Sequence, residues 1–419
     1  MPPDRISATY RIETAHPIGR AVESMAGEQS TGTFVRVPGE TDALRERFGA
    51  RVERVTELED ADGPSLPGSR PPGGAGAAPR FRRAEVVLSW PLENVGPSLP
   101  NLLATVAGNL FELSAFSGLK LVDLDLPPAF GEAYPGPQFG PEGTRRLSGV
   151  EGRPIIGTII KPSVGLAPGE TAALVGTLIE AGIDFVKDDE LMANPPHSPL
   201  GRRVEAVMRV VNDHADRTGK KAMIAFNITD EIDAMRRHHD AVLDAGGTCV
   251  MVSLNGVGLA GVAHLRSHSQ LPIHGHRNGW GIYARHPMLG MEFAAYSTFY
   301  RLAGADHLHC NGLRNKFCEP DDSVVASARR CLAPLFGRRV MPVIASGQWA
   351  GRAGETYERI GSIDLMHVCG GGIMAHPDGV AAGVLSLRQA WEAALSGTPA
   401  DEYARARPEL RRALEAFGP

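Results

Sequence analysis

Cysteine is scarce in this chain of 419 residues, and long apolar runs are missing. The five cysteines are scattered and include no Cys-x-x-Cys pair, which argues against a disulfide framework and indicates reduced thiols. No segment approaches the ~18 apolar residues of a membrane span, and the first residues lack the basic stretch and apolar run of a signal peptide. We therefore expect a soluble cytoplasmic protein with no membrane partner.

Charge of one sign is not in excess either. Lysine and arginine number 43 against 48 aspartates and glutamates, which leaves a net charge of -5 and gives no electrostatic reason to expect nucleic acid. Hydrophobic residues make up 43% of the chain, enough for one large core or two ordinary ones. The expected partner is a small molecule.

The chain divides into two parts of different pattern. Residues 1–132 predict a compact α+β domain with strands at 6–12, 33–37 and 84–90. Residues 62–79 are almost all proline, glycine, alanine and serine, a composition that buries too little apolar surface to offset its ordering entropy. We interpret this segment as a mobile surface insertion within the first domain rather than a domain linker.

From residue 133 short apolar runs alternate with helix-length amphipathic stretches. Eight such repeats in ~250 residues predict an α/β fold, a (β/α)8 TIM barrel spanning 133–419 with a C-terminal helical tail. A doubly wound open sheet is the alternative, but the first strand–helix turn has no G-x-G-x-x-G fingerprint. The predicted strands are 154–160, 183–186, 222–226, 249–254, 272–275, 307–310, 341–345 and 365–369.

Polar residues follow nearly every predicted strand, at the end where barrel enzymes build their sites. Residues 187 and 189 point to the same side of a strand, so Lys187 and Asp189 face the barrel mouth together, with Glu190 in the turn beyond. Carboxylate oxygens suit Mg²⁺, and CO2 bound to the lysine amine as a carbamate would supply a third oxygen ligand. The alternative is a surface salt-bridge run.

Two histidine pairs lie on the fifth and sixth predicted strands. His276 and His309 each follow another histidine, His274 and His307, by two residues. A zinc site is disfavoured, because no cysteine or third histidine lies at ligand spacing. General acid or base catalysis, or a contact to a sugar hydroxyl or phosphate, fits His276 and His309 better. His274 and His307 are interpreted as hydrogen-bonded strand residues.

Glycine-rich turns follow the last two predicted strands. Ser346-Gly347 and Gly370-Gly371 occupy the place where barrel enzymes commonly bind phosphate through backbone N–H groups. Arg277 would add a bidentate contact to the same group. Ordinary strand-ending turns are the alternative.

Read together, five segments resemble the signature segments of the RuBisCO large-chain superfamily. They are GTIIKPSVGL (157–166), GIDFVKDDE (182–190), HGHR (274–277), HLH (307–309) and CGGG (369–372), and the likeness begins at 28–33 and 108–109. The resemblance implies a ferredoxin-like α+β N-terminal domain, a TIM barrel, and a homodimer or an assembly of dimers. Each active site would combine one subunit's barrel with its partner's N-terminal domain.

The resemblance also assigns roles by position. Lys161 matches the general base, Lys187 the carbamylated lysine, Asp189 and Glu190 the Mg²⁺ ligands, and His276 the catalytic histidine. The remaining matches are Arg277 and His309 for phosphate and sugar contacts, Lys316 for the mobile-loop lysine that steadies CO2, and Glu28, Thr33 and Asn109 for residues supplied by the partner subunit.

Departures from the carboxylase pattern indicate the RuBisCO-like, non-carboxylating branch. Ser163 stands where carboxylases have a second lysine, Phe34 where they have tryptophan, Trp280 where they have histidine, and Gln348 where they have glycine. Bisphosphate carboxylation is therefore disfavoured.

The predicted function is Mg²⁺-dependent formation of an enediolate from a phosphorylated sugar-derived substrate. Decarboxylation of a phosphorylated 3-oxo sugar acid is favoured, because Lys316 is suited to a carboxylate or departing CO2. The alternative is an enolase or isomerase acting on a methylthio ketose phosphate in sulfur salvage. A non-catalytic relative is disfavoured, because Lys161, Lys187 and both carboxylates are present.

Overall fold

The computed structural model describes residues 4–32, 37–72 and 79–418. Its contacts divide the chain into two compact units, each made of two segments. The first contains residues 1–135 and 279–302, and the second contains 136–278 and 303–419. The strand expected at 33–37 lies, apart from Val37, outside the described residues.

Thirteen strands and eighteen α-helices follow each other along the described chain. The strands are β1 Arg5–Thr14, β2 Arg51–Ala61, β3 Phe81–Pro91, β4 Phe116–Asp125, β5 Ile155–Ile159, β6 Phe185–Lys187, β7 Met223–Asn227, β8 Cys249–Ser253, β9 Ile273–His276, β10 Leu289–Met291, β11 His307–Asn311, β12 Met341–Ala345 and β13 Met366–Val368. The helices are α1 Ile18–Glu28, α2 Asp42–Phe48, α3 Leu92–Val95, α4 Leu99–Ala107, α5 Pro128–Ala133, α6 Gly140–Ser148, α7 Pro168–Glu180, α8 Leu200–Thr218, α9 Ile232–Asp244, α10 Leu254–His268, α11 Gly281–Ala284, α12 Phe293–Ala303, α13 Asp321–Leu332, α14 Ala353–Ile360, α15 Gly371–Met374, α16 Val380–Ser396, α17 Ala400–Tyr403 and α18 Pro408–Phe417.

The first unit is built on a five-stranded sheet with the order β10-β4-β1-β3-β2. Strands β4, β1, β3 and β2 are antiparallel, the arrangement expected of a ferredoxin-like domain, and β10 joins the edge parallel to β4. β1 is central, so its alternating apolar residues are buried, and Tyr10 donates its hydroxyl proton to Val106 O at 2.7 Å. The sheet order confirms the predicted fold of this part.

The described part of the proline- and glycine-rich insertion lies along the start of β4. The Leu66 N–H donates to Ser117 O at 2.9 Å, and the Arg70 N–H donates to Ser114 O at 2.7 Å. Ser65 donates through its N–H and hydroxyl to the buried carboxylate of Glu13. Residues 62–72 are thus held by specific hydrogen bonds, and residues 73–78 lie outside the described residues.

The second unit is a closed parallel barrel, in which β5 to β9 and β11 to β13 pair in chain order and β13 returns to β5. All eight strands predicted from the sequence are present, so the TIM-barrel prediction is confirmed. Alternate strand residues fill the interior, because side chains on a strand point to opposite faces. Its core includes Ile155, Phe185, Met223, Met251 and Val343, all at most 1% exposed.

A buried carboxylate ties the start of the barrel together. Asp184, just before β6, pairs with both Nη atoms of Arg153 at 2.6 and 3.0 Å and with Lys220 Nζ at 2.9 Å, and it accepts the Ile156 N–H. Burial alone would raise the pKa of Asp184, but the two cations outweigh burial and lower it. The ionised form is therefore favoured by folding.

We expect Asp184→Asn to lower the free energy of unfolding by about 3 kcal/mol at neutral pH, because it leaves two cations without their buried partner. The folded pKa lies below the unfolded value of about 3.9. The contribution is thus fully present above about pH 5 and is lost as the pH falls through the lowered folded pKa. Urea unfolding should show that the free energies of unfolding of the wild type and of Asp184→Asn converge as the pH falls. The exposed Asp216→Asn is the control, and an equal difference at all pH values would contradict the argument.

Candidate active site

The polar residues predicted to form the site follow barrel strands at the end where all eight strands terminate. Lys187 closes β6, His276 closes β9, and Ser346 directly follows β12. Lys161 and Gly370 come two residues after β5 and β13. Because the strands are parallel, these residues gather at one mouth of the barrel.

Lys161 and Asp189 form an ion pair at this mouth. The Lys161 ammonium donates to Asp189 Oδ2 at 2.7 Å and to Ser163 Oγ at 2.6 Å. Burial pushes the pKa of Asp189 upward, but the hydrogen bonds from Lys161 and from the Leu191 N–H outweigh it and lower the pKa. Asp189 is therefore held as a carboxylate, and Lys161 is held beside it.

Lys187 is 1% exposed and lies under the carboxylates that follow β6. Its Nζ donates to Asp188 O at 2.7 Å and lies 3.7 Å from Glu190 Oε2. Burial lowers the pKa of Lys187, although Glu190 and Asp189 act in the opposite direction. A lowered pKa favours the neutral amine, which is the form that reacts with CO2.

Glu190 lies between Lys187 and His276. Its Oε2 is 3.6 Å from His276 Nε2, and interactions with His276 and Lys187 lower the pKa of Glu190 against the upward effect of burial. Burial and Lys187 lower the pKa of His276 to about 4. The amide of Asn227 donates to the backbone oxygens of Asp189 and Glu190 at 3.2 Å, which fixes the carboxylate-bearing turn.

A buried arginine on α8, which was not predicted from the sequence, binds the same segment. Arg203 is fully buried on α8 and pairs with Asp188 Oδ2 through Nε and Nη2 at 3.2 and 3.1 Å. It also donates to the backbone oxygens of Met192, Ala193 and Ser198. Nothing in the local pattern distinguishes Arg203 from Arg202 beside it, because the partners lie 5 to 15 residues away in sequence.

A hydrogen-bonded chain joins the ends of β9, β11 and β12. Glu319 Oε2 accepts from Arg277 Nη2 at 2.8 Å and from Asn311 Nδ2 at 2.6 Å, while the Ser346 hydroxyl donates to Asn311 Oδ1 at 2.9 Å. Glu319 was not among the predicted residues; its only sequence signal is an acid three residues after Lys316. These hydrogen bonds fix the guanidinium of Arg277 in the barrel mouth.

Lys316 lies against the turn that follows β12. A Cβ added at Gly347 would meet Lys316 N at 3.3 Å, and Gly347 has φ +72°, so the close approach and the backbone conformation both favour glycine. Gln348 fills the space beside Gly312 and donates to Leu313 O at 3.0 Å. The departure at Gln348 therefore supports the base of the loop that carries Lys316.

Gly370, two residues after β13, borders Lys161. A Cβ added at Gly370 would lie 3.3 Å from Ile159 Cδ1 and 3.9 Å from Lys161 Cε, and Gly371 begins the short helix α15. The absence of a side chain at Gly370 therefore lets the backbone run close to the stem of the proposed base.

Three predicted residues belong to the first unit. Glu28 ends α1, and Asn109 begins a short 3-10 helix. A Cβ added at Gly108 would lie 3.3 Å from Gln29 Nε2, so the two segments are neighbours within that unit. Thr33 lies outside the described residues.

The donor set at the barrel mouth fits a hard cation. It offers two carboxylates and an amine whose lowered pKa favours carbamate formation, within one segment that Asn227 and Arg203 hold in place. The described residues also bring His239, Asp240 and His268 together, with ligand atoms within 4.8 Å. There the Gln270 N–H donates to His239 Nε2, so that ring donates from Nδ1 to Asp240, as in a hydrogen-bonded cluster.

Comparison with known proteins agrees with this arrangement. Residues 142–417 match the family model of the ribulose bisphosphate carboxylase large chain, catalytic domain, and residues 78–130 match that of its N-terminal domain. The chain belongs to the RuBisCO large-chain family. Its relatives place it in the RuBisCO-like branch, as the departures from the carboxylase pattern predicted.

Two relatives with assigned reactions align over nearly their whole length. The chain is 56% identical to the 3-oxo-isoapionate-4-phosphate transcarboxylase/hydrolase of Xanthobacter autotrophicus, over 98% of this chain and 99% of that protein. It is 48% identical to the 3-oxo-isoapionate-4-phosphate decarboxylase of Rhizobium etli, over 98% of both proteins. Both names specify a phosphorylated 3-oxo acid.

Solved structures show the same fold. A RuBisCO-like protein from Burkholderia fungorum superposes with a TM-score of 0.91 at 48% identity, covering 99% of this chain and 100% of that one. The octameric RuBisCO of Pyrococcus horikoshii gives a TM-score of 0.88 at 28% identity, covering 100% and 94%. Among the described residues, no helix is long and apolar enough to cross a membrane.

Proposed function

We propose that this chain decarboxylates a phosphorylated 3-oxo sugar acid of the 3-oxo-isoapionate 4-phosphate type. The observation that supports this proposal most directly is that the chain is 48–56% identical, over 98% of its length, to proteins named for that substrate. The barrel mouth supports it, because Lys161, Arg277 and Lys316 place three cationic side chains there, opposite in charge to a phosphate and a carboxylate.

Lys187 as its carbamate, with Asp189 and Glu190, would hold Mg²⁺. When bound, Mg²⁺ supplies positive charge that stabilises an oxyanion developing on the substrate. Breaking the bond between the substrate carbon and its carboxylate moves an electron pair towards the 3-oxo group and leaves an enediolate and CO2. Lys161 would then return a proton to that carbon, as expected of an amine held at the mouth by Asp189.

The surrounding residues would position the two ends of the substrate. Arg277, fixed by Glu319, presents a guanidinium to the phosphate, with Ser346-Gly347 and Gly370-Gly371 as sources of backbone N–H groups. His276, with its pKa of about 4, is neutral and donates a hydrogen bond rather than a charge. Glu28, Thr33 and Asn109 of a partner subunit would complete the site in a homodimer or an assembly of dimers in the cytoplasm.

Transcarboxylation followed by hydrolysis is the second candidate, favoured by the 56% identity to the Xanthobacter protein. It shares the first bond cleavage with decarboxylation. The difference lies in the fate of the carboxyl group, which would be transferred to another carbon rather than released.

The deciding experiment is NMR in D2O with carboxyl-¹³C-labelled 3-oxo-isoapionate 4-phosphate, Mg²⁺ and bicarbonate. Label appearing as CO2 and bicarbonate, with deuterium at the carbon that carried it, is the result expected of a decarboxylase. Label retained in a product of hydrolysis would establish the second candidate. A panel of phosphorylated ketoses is run alongside, and carbonyl migration there without carbon loss would replace both proposals with an isomerase.

We expect Lys316→Met to slow CO2 release by roughly a hundredfold, because it removes the cation that would bind the substrate carboxylate and orient it for bond cleavage. Deuterium exchange of an α-proton in a ketose phosphate analogue should change little, since that step needs only the base. Comparing the two rates checks the prediction, with Lys316→Arg as the variant that keeps the charge. Equal loss of both rates would assign Lys316 to general substrate binding instead.

A further inference from the structure

A continuous row of side chains runs through the barrel interior to the active site. Thr144 Oγ1 on α6 lies 2.5 Å from Gly140 O and 2.9 Å from His307 Nε2. His307 Nδ1 lies 3.3 Å from His274 Nδ1, and His274 Nε2 lies 2.9 Å from His309 Nε2. His307 and His274 have no exposed surface, so water does not interrupt the row.

The first member fixes the direction of every hydrogen bond in this row. Two oxygens only 2.5 Å apart need a proton between them, and a carbonyl oxygen only accepts, so the single hydroxyl proton of Thr144 goes to Gly140 O. Thr144 Oγ1 then accepts from His307 Nε2–H, which leaves His307 Nδ1 to accept from His274 Nδ1–H. His274 Nε2 in turn accepts from His309 Nε2–H, and His309 Nδ1 remains without a proton.

The three histidine rings are neutral, with one N–H group each, because burial disfavours their charged form. Burial lowers the pKa of His307 to about 3 and holds the pKa values of His274 and His309 well below the ordinary histidine value. Within the described part of the chain, His309 Nδ1 has no hydrogen-bond partner of its own.

The neighbouring histidine is protonated in the opposite sense. The Asn278 N–H donates to His276 Nδ1 at 3.2 Å, so the ring proton of His276 is on Nε2, which faces Glu190. The rings of His276 and His309 lie 4.3 Å apart, centre to centre. The site thus holds a hydrogen-bond donor and an acceptor side by side.

We propose that Thr144, His307 and His274 are positioning residues that hold His309 as a hydrogen-bond acceptor for a hydroxyl group of the substrate. A bare ring nitrogen repels a phosphate or carboxylate oxygen, since both present lone pairs. Arg277 therefore binds the phosphate on this side of the site, and His309 favours a substrate with a hydroxyl group at the carbon it faces. The choice of a sugar acid rests on the proposed function, whereas the protonation of His309 does not.

Nitrogen-15 NMR of the full-length protein labelled at the histidine rings tests the proposal without substrate. The chemical shift distinguishes a protonated ring nitrogen from a bare one, and His309 is identified by the signals missing from His309→Gln. We expect wild-type His309 to carry its proton on Nε2. A proton on Nδ1 of wild-type His309 would overturn the proposal. Apart from the variant used to assign the signals, this test needs only the wild-type protein.

Thr144→Val and Thr144→Ser form a matched pair. Valine keeps the volume of threonine but removes the oxygen that accepts from His307. Either direction of the hydrogen bonds then leaves His307 Nε2 without a partner. The fraction of molecules in which His309 Nδ1 is bare should therefore fall from about nine-tenths towards one half. Serine keeps the hydroxyl and should keep the wild-type spectrum. An unchanged fraction in Thr144→Val would show that the row does not set the direction.

Inorganic phosphate added with Mg²⁺ separates the two ligand groups. The bare Nδ1 should persist, and protonation of Nδ1 on adding phosphate would overturn the assignment to a hydroxyl. If the protein proves not to be a decarboxylase, these spectra are unaffected, so the two proposals fail independently.

Discussion

Replacing Lys187 with methionine is expected to lower kcat by roughly a thousandfold or more, because it removes the amine that would carry CO2 as a carbamate. Lys187 is 1% exposed, and methionine fills nearly the same volume, so the barrel should fold around it. The loss would then reflect chemistry rather than stability. The measurement is the rate of CO2 release with saturating Mg²⁺ and bicarbonate.

A second readout does not depend on turnover. Protein incubated with ¹³C-bicarbonate and Mg²⁺ should show a carbamate carbon signal by NMR that is absent from Lys187→Met. Lys221→Met is the matched control, since Lys221 is a partly exposed lysine that precedes β7 and should retain both signal and activity. Full activity of Lys187→Met, or of the wild type in excess EDTA, would contradict the metal assignment.

Arg203→Met should lower the free energy of unfolding by about 3–5 kcal/mol, because it leaves the carboxylate of Asp188 buried without its partner. The backbone oxygens of Met192, Ala193 and Ser198 lose their donor as well. Asp189 and Glu190 lie at the start of this segment, so activity should fall together with stability. Denaturant unfolding at one fixed protein concentration measures the first effect.

Arg202→Met provides the comparison for Arg203→Met. Arg202 precedes Arg203 on α8 but is exposed, and its replacement should change stability by less than about 0.5 kcal/mol. Amide hydrogen exchange should quicken across 188–198 in Arg203→Met and stay at the wild-type rate in Arg202→Met. A loss below about 1 kcal/mol in Arg203→Met would mean that the segment is held mainly by its own backbone.

The barrel was predictable from the sequence because its strands are short, apolar and evenly spaced by helices. The eight predicted runs match the observed barrel strands to within two residues at every end, and β12 was predicted from its first residue to its last. Within the first unit, β2, β4 and β10 were not predicted. The exposed side chains of β2 are highly charged, so its sequence lacks the apolar alternation of a half-buried strand.

The residues facing the barrel mouth were found from their place after strands, whereas those that hold them were not. Glu319, Arg203 and Thr144 act through partners that are distant in the chain or indistinguishable from ordinary helix and loop residues. His274 and His307 were interpreted correctly as hydrogen-bonded strand residues. The direction of their hydrogen bonds depends on a threonine 130 residues or more earlier, which only the fold brings near.

Strand β10 has a consequence for how the protein is made. The ribosome completes β1 to β4 before any barrel strand, yet their edge partner at residues 289–291 emerges only after five barrel strands have been synthesised. Synthesis of the first unit therefore starts before that of the barrel but ends after most of the barrel strands have been made. This order departs from the common case, in which nascent domains fold one after another from the N-terminus. The edge of the first unit's sheet beside β4 therefore stays unpaired until residues 289–291 have been synthesised, and no single cut in the gene separates the two units.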